Sequence, residues 1–287
     1  MAWKNPIFKL AALSLGLSLE LAVAAGFSFS ARASSEVSNP NSVIPQTWQL
    51  SQFNPPDRGA PDVTVGGATR GECIDMTPLI PKDTSKDYGE IVPPYFGLTV
   101  AERPTFFWHV EKSSAQEIYF EIVEYNTDGR GKDGPSVYQT TFSLPATPGV
   151  ISTKLPPSSG LEAGKTYRWY VEALCGSYPS EEVRSVASGW VERIDASPAL
   201  SSQLVRAETS EVRSQVYAEA GIWFDALNIL GQERIAADTD TLKTKWEGLL
   251  EALNLTNLEG IANAPLMNCC NESVEVFGEE PALTSQN

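Results

Sequence analysis

The stretch TYRWYVEAL, Thr166 to Leu174, alternates apolar and polar side chains. Successive side chains of an extended chain point to opposite faces, so Tyr167, Trp169, Val171 and Ala173 share one side while Arg168 and Glu172 share the other. The pattern is that of a half-buried strand, with Trp169 in the core. Working outward, TFFWHV, EIYFEIVEY, SVYQTTFSL and GVISTKL come before it and SVASGWVERI after it, all rich in β-branched and aromatic residues and punctuated by Pro and Gly. Runs of this length and spacing predict an antiparallel β-sandwich over residues 58–195.

Leu155 to Ala173, LPPSSGLEAGKTYRWYVEA, resembles the corner and following strand of immunoglobulin-like and fibronectin III-like domains, with Tyr167 in the place of the corner tyrosine. That resemblance implies architecture and carries no function.

After Ile194 the composition shifts to helix formers. SPAL places Ser197 as an N-cap with Pro198 at the first helical position, and Thr209 to Glu211 offer a second start with an acid in the first turn. The stretch YAEAGIWFDALNIL, Tyr217 to Leu230, has two readings. A straight helix would align Val216, Ala220, Trp223, Leu227 and Leu230 in one apolar stripe, but Gly221 in its middle costs about 1 kcal/mol against Ala. A turn at Gly221 gives instead one helix over 210–220 and another over 222–236. In that form the segment resembles a tetratricopeptide hairpin, with Tyr217 late in the first helix and Trp223, Ala226 and Leu230 along the second. A further helix beginning near Thr239 puts Trp246, Leu249 and Leu253 where such a repeat would restart, although Arg213 stands where the repeat prefers an apolar residue. The expected fold class is therefore α+β: an antiparallel β-sandwich, then a small helical domain at 196–267 with a tetratricopeptide-like hairpin.

The ends of the chain read differently. Lys4 and Lys9 precede an apolar run from Leu10 to Phe29, interrupted only by Glu20, and ARA ends at Ala33 with small residues at the cleavage positions. Residues 1–33 are expected to be a signal peptide, with retention as a membrane anchor the alternative. Residues 34–57, rich in Ser, Asn and Pro, are expected to be a flexible linker, and 268–287 an acidic tail. No later stretch is long and apolar enough to span a bilayer.

The whole chain has 287 residues, 42% of them hydrophobic, which is too apolar for disorder throughout, and a net charge of −15. Cleavage after Ala33 would remove Lys4, Lys9 and Arg32 against Glu20, a loss of two net positive charges that leaves −17. Such a surface repels nucleic acid and anionic lipid and stays soluble outside the cytoplasm.

The candidate binding residues are Trp223, Asp225 and Tyr217. Trp223 is read as core packing in either geometry, because an apolar helical stripe is a packing face before it is a ligand platform. For Asp225 the plain reading is an ion pair or helix-end hydrogen bond with Arg206, Arg213 or Arg234. A hydrolase reading would take Asp225 and Glu219 as acids with Trp223 as a sugar platform, but it needs a second polar group converging on the same cleft.

His109 is the only histidine, so a multi-histidine metal site is excluded, and within the strand TFFWHV it reads as structural. Glu124, Asn126 and Asp128 are spaced like the first ligands of a calcium loop, but Pro135 stands where the closing acid belongs, so a hairpin loop is the better reading. VGGATRGEC, Val65 to Cys73, has no Walker lysine and reads as a tight bend. No cofactor and no metal are expected. Of the four cysteines, Cys73 and Cys175 could staple the start of the sandwich to a central strand, while adjacent Cys269 and Cys270 allow a vicinal disulfide, an intermolecular link or free thiols.

Taken in order, PPDRGAP, GGATRGEC, RPTFFWHV, YQTTFSL, YRWYVEALC, SGWVERI, YAEAGIWFDALNIL and IANAPL resemble a family of exported cyanobacterial proteins catalogued as domain of unknown function 928. The resemblance runs from about Pro55 to Leu266 and implies an extracytoplasmic location; it transfers no activity and no catalytic residue. The function expected is a non-enzymatic binding or scaffold protein of the cell envelope, periplasmic or secreted, with an envelope protein or glycan as partner. An envelope hydrolase and a purely structural envelope component are the alternatives.

Overall fold

Residues 53–61, 74–111, 117–126, 132–144, 148–175 and 183–268 are described by a computed structural model of the chain. Its elements run β1 Met76–Pro78, β2 Tyr95–Thr99, β3 Thr105–Val110, β4 Glu117–Asn126, β5 Lys132–Ser143, β6 Gly149–Lys154, β7 Thr166–Cys175 and β8 Val183–Arg193. Then follow α1 Pro198–Arg206, α2 Ser210–Glu219, α3 Trp223–Ala236, α4 Asp240–Leu250, α5 Leu258–Asn263 and β9 Leu266–Asn268.

The alternation in β7 sorts as its sequence requires: Tyr167, Trp169, Val171 and Ala173 are buried, while Arg168, Tyr170 and Glu172 face the other way and are partly exposed. β7 lies at the centre of a five-stranded sheet ordered β2-β8-β7-β4-β5. The Tyr167 hydroxyl accepts a hydrogen bond from the Glu162 backbone N–H at 2.7 Å, tying the corner before the strand. A second sheet, ordered β1-β3-β6-β9, faces the first. Phe106 and Trp108 of β3 pack against Phe120 of β4 at 5.2 and 5.3 Å between ring centroids.

The sheets are mixed where an antiparallel sandwich was expected. β2 runs parallel to β8 and β6 parallel to β9. Parallel neighbours need a long connection, and both pairs have one: the intervening strands in the first case and the helical segment in the second.

β3 decides where the helices go. Every residue of TFFWHV is buried, so both faces of the strand are covered. The Phe107 ring meets Trp246 of α4 at 5.6 Å, and a side-chain carbon added at Gly231 of α3 would lie 2.6 Å from Phe107. Phe106 meets Phe224 of α3 at 5.0 Å. The sequence places a boundary at residue 196; in the structure the helices beyond it contribute Trp223, Phe224, Leu227, Leu230 and Trp246 to the same hydrophobic core as the strands before it. All described residues belong to one compact unit, Thr47–Asn287.

The helix starts follow the capping residues. Ser197, Thr209 and Thr239 accept hydrogen bonds from the backbone N–H groups of Leu200, Val212 and Leu242. Between α2 and α3 the chain turns at Gly221, whose φ of +74° lies in the region that favours glycine. There the segment Phe53–Pro61 crosses the fold as a strap. The Asn54 N–H donates to the Ala218 carbonyl at 3.1 Å and its side-chain amide to the Glu219 carbonyl at 3.1 Å, satisfying two carbonyls at the end of α2. Phe53 is buried edge-on against Trp223. Residues 53–57, the last of the stretch expected as a linker, are thus docked.

β4 and β5 form an antiparallel hairpin, as the loop reading of Glu124, Asn126 and Asp128 requires. The leader, the glycine-rich stretch at 65–73 with Cys73, and Cys269 and Cys270 lie outside the described residues, as does the Cys175 side chain.

Candidate functional site

Trp223 opens α3 and has no exposed surface. Its indole N–H donates to the Leu79 carbonyl at 2.8 Å, and the Phe53 ring meets it at 4.9 Å. A ring enclosed in this way offers no face to a ligand in this structure; it knits α3 to the strap and to the chain just after β1.

Asp225, two residues on, is 9% exposed. One carboxylate oxygen accepts from the Thr99 hydroxyl at 2.7 Å and from the Val100 backbone N–H at 3.1 Å. The Thr99 hydroxyl oxygen in turn accepts from the Ala101 N–H at 3.0 Å. The partners expected from sequence were arginines; the structure supplies the end of β2 instead. Arg213 donates to the Ala207 carbonyl, and Arg234 to Asp238 and to the carbonyls of Ala262 and Ala264. Asp225 is a peg joining the first turn of α3 to the sheet.

Burial pushes the Asp225 carboxyl above the ordinary aspartate value of 3.8, against the opposing pull of its hydrogen bonds to Thr99 and Val100. The folded state therefore holds a proton over a range where the unfolded chain has released it, and stability falls as pH rises through that window. Relative to Asp225→Asn, the parent is expected to lose stability as pH rises above the ordinary aspartate value of 3.8. Urea unfolding of both proteins across that range checks it; parallel curves would contradict the assignment.

Tyr217 is half-buried, and Asp225 and burial together raise its phenol, with burial the larger cause. Glu219 is exposed at the end of α2 and accepts from the Gln215 side chain at 2.9 Å. The two acids a hydrolase would use occupy different environments, one enclosed and one in solvent. His109 is 5% exposed in β3, with Nδ1 3.8 Å from Glu111, and burial lowers its pKa.

A different set of side chains converges on the outer face of the five-stranded sheet. The register pairs Arg168 with Trp190 and Tyr170 with both Ser188 and Glu121, and sets Tyr119 opposite Glu172. The Arg168 guanidinium lies over the Tyr170 ring at 4.7 Å and the Trp190 ring at 5.3 Å. Asp133 stands 3.6 Å from Arg168 and accepts from the Tyr170 hydroxyl at 2.6 Å. Burial, then this hydrogen bond, pushes the Tyr170 phenol up, so it stays a donor. Tyr119 donates to Gln139 at 3.2 Å. Half-exposed phenols, a planar cation held flat and flanking acids supply stacking and hydrogen bonding in one strip. Sequence reasoning overlooked it, although the signal was present: Arg168, Tyr170 and Glu172 are the outward half of the alternation that placed Trp169 inside.

Two facing sheets backed by helices define a mixed α+β protein whose conspicuous buried acid is a structural peg. The chain belongs to the family described as Domain of Unknown Function (DUF928), whose profile matches residues 65–266. Curated proteins give no match. Among solved structures, the ASH/PapD-like domain of human CEP192 (PapD-like domain 7) is similar at 10% identity, covering 49% of this chain and 96% of that one, with a TM-score of 0.25.

Proposed function

We propose that the protein is a non-enzymatic binding or scaffold component of the cell envelope, acting outside the cytoplasm, and that the outer face of the five-stranded sheet is its binding surface. The observation that carries this reading is the partly exposed pair Arg168 and Tyr170, lying over a buried Trp190, with Asp133 and Tyr119 beside it on a rigid sheet. Its chemistry suits an envelope protein or glycan, each of which offers hydrogen-bonding groups along a flat apolar surface. The basic start and small-residue end of the leader support export, as does the resemblance to exported cyanobacterial proteins. In an oxidising compartment Cys73 and Cys175 would pair. The α2–α3 hairpin, with its tetratricopeptide-like pattern, is a second scaffold of a kind used for recognition.

Crosslinking and pull-down from the native envelope test the proposal, run with the parent and with Arg168→Ala/Tyr170→Ala. The parent is expected to retain a partner that the variant, at unchanged Tm, releases. Equal capture by both would reject the surface. Turnover of a glycosidase or esterase substrate that disappears in a folded Asp225→Asn variant would reject the non-enzymatic reading.

A further inference from the structure

The outer face of the five-stranded sheet holds hydrogen-bonding groups of both kinds that the fold leaves unspent. An arginine offers only donors. The side chain of Arg168 is 16% exposed, and Asp133, the acid it faces, stands at 3.6 Å, beyond hydrogen-bond length. Its Nε has no acceptor. Asp133, 39% exposed, supplies the opposite kind: Oδ2 accepts from the Tyr170 hydroxyl, while Oδ1 has no partner among the described residues. Exposed Gln139 accepts from Tyr119 through its amide oxygen, which leaves its amide N–H groups as further donors.

The rings are placed to match. Tyr119 pairs with Glu172 and Tyr170 with Glu121, so the two phenols occupy diagonal positions on neighbouring strands, ~7–8 Å apart at the backbone. Both are partly exposed. Apolar anchors, in contrast, are scarce. Trp190 is buried under Arg168, and of the large hydrophobic side chains exposed among the described residues only Val186 belongs to this face.

We propose that this face binds an uncharged glycan chain, with the C–H faces of its sugar rings on Tyr119 and Tyr170 and its hydroxyls bonded to Arg168 and Asp133. The inference rests on the sheet face being the binding surface proposed above, and it chooses between the two partners named there. A hydroxyl both donates and accepts, so neighbouring hydroxyls of one sugar can accept from Arg168 while donating to Asp133. The negative face of an aromatic ring attracts the C–H side of a sugar. An anionic polymer would meet Asp133, the acids Glu121 and Glu172 beside Tyr119, and the net charge of −15. A cationic one would compete with Arg168 for Asp133 and Tyr170 and leave the guanidinium donors unmet. A protein partner would draw its affinity from a desolvated apolar anchor, which this face lacks.

Retention of the full chain on cellulose, chitin and starch, with polygalacturonate and chitosan as charged comparators, tests the proposal. The parent is expected to be held by at least one of the neutral glycans and to stay bound as salt is raised, because no net charge is neutralised. Tyr119→Ala removes a ring, and Arg168→Lys keeps the charge while losing the planar fork. Each is expected to bind about tenfold more weakly at unchanged Tm. Retention on none of the neutral glycans, retention on the charged polymers alone, retention that salt removes, or variants that bind like the parent would overturn the proposal. With no glycan retained, an envelope protein captured by the parent and lost in Arg168→Ala/Tyr170→Ala would overturn the glycan and keep the face; equal capture by both would reject the face as well. Should a variant fail to fold, the salt dependence of the parent's own retention decides.

Discussion

Trp223→Ala is expected to destabilise the protein by about 3–5 kcal/mol, the range for emptying a fully buried large aromatic site. Three supports go at once: the volume between α3 and the sheets, the edge contact with Phe53, and the partner of the Leu79 carbonyl. Against a total stability of about 5–15 kcal/mol this is a large fraction, and for a unit of this size it lowers Tm by roughly 10 °C. Trp223→Phe keeps most of the apolar contact and orphans one carbonyl, so it should cost about half as much. Thermal unfolding of both variants checks the order; an alanine variant within about 1 kcal/mol of the parent would mean the indole is not part of the core.

The second large effect is at Arg234. Its side chain is completely buried, while its acidic partner Asp238 is 49% exposed, so solvent screens the pair on the aspartate side. What the guanidinium does is hold α5 and the chain after it: Nη1 donates to the Ala262 carbonyl at 2.7 Å and Nη2 to the Ala264 carbonyl at 3.3 Å, with the group lying over the Trp246 ring at 5.6 Å. Arg234→Ala should cost about 3–5 kcal/mol, because it leaves buried carbonyls unpaired and empties a large volume. Asp238→Ala should cost less than Arg234→Ala, because the Ala262 and Ala264 carbonyls keep their guanidinium donor. Arg234→Lys, lacking the fork, should resemble the alanine variant more than the parent. Urea unfolding of the three variants gives the ranking directly.

Much of this was legible in the sequence, for reasons that differ by element. The inside and outside of β7 follow from the two-residue period, and the starts of α1, α2 and α4 from Ser197, Thr209 and Thr239. The turn at Gly221 follows from the cost of glycine in a helix. What failed to read through was long-range. The parallel pairing of β9 with β6 depends on where the chain returns after the helices, which no local pattern encodes. The partner of Asp225 lies at Thr99 and Val100, more than a hundred residues earlier, while the arginines nearby in sequence proved the wrong candidates. The strap at Phe53 was hidden by its Ser-, Asn- and Pro-rich surroundings, although it holds a buried phenylalanine and a capping asparagine that help dock it. TFFWHV held a signal that was not used: a strand without alternation is covered on both faces, so the helices had to pack onto it.

Helices and sheets share one core, with Trp223 and Asp225 as its joints, and are expected to open as one body. Native-state hydrogen exchange in low denaturant measures this directly, comparing amides of α3 and α4 with those of β4 and β7. The slowest amides of both groups are expected to share one opening free energy, equal to that of global unfolding, and Trp223→Ala is expected to lower both together. Helices that exchange through an opening several kcal/mol below that of the sheets would contradict it.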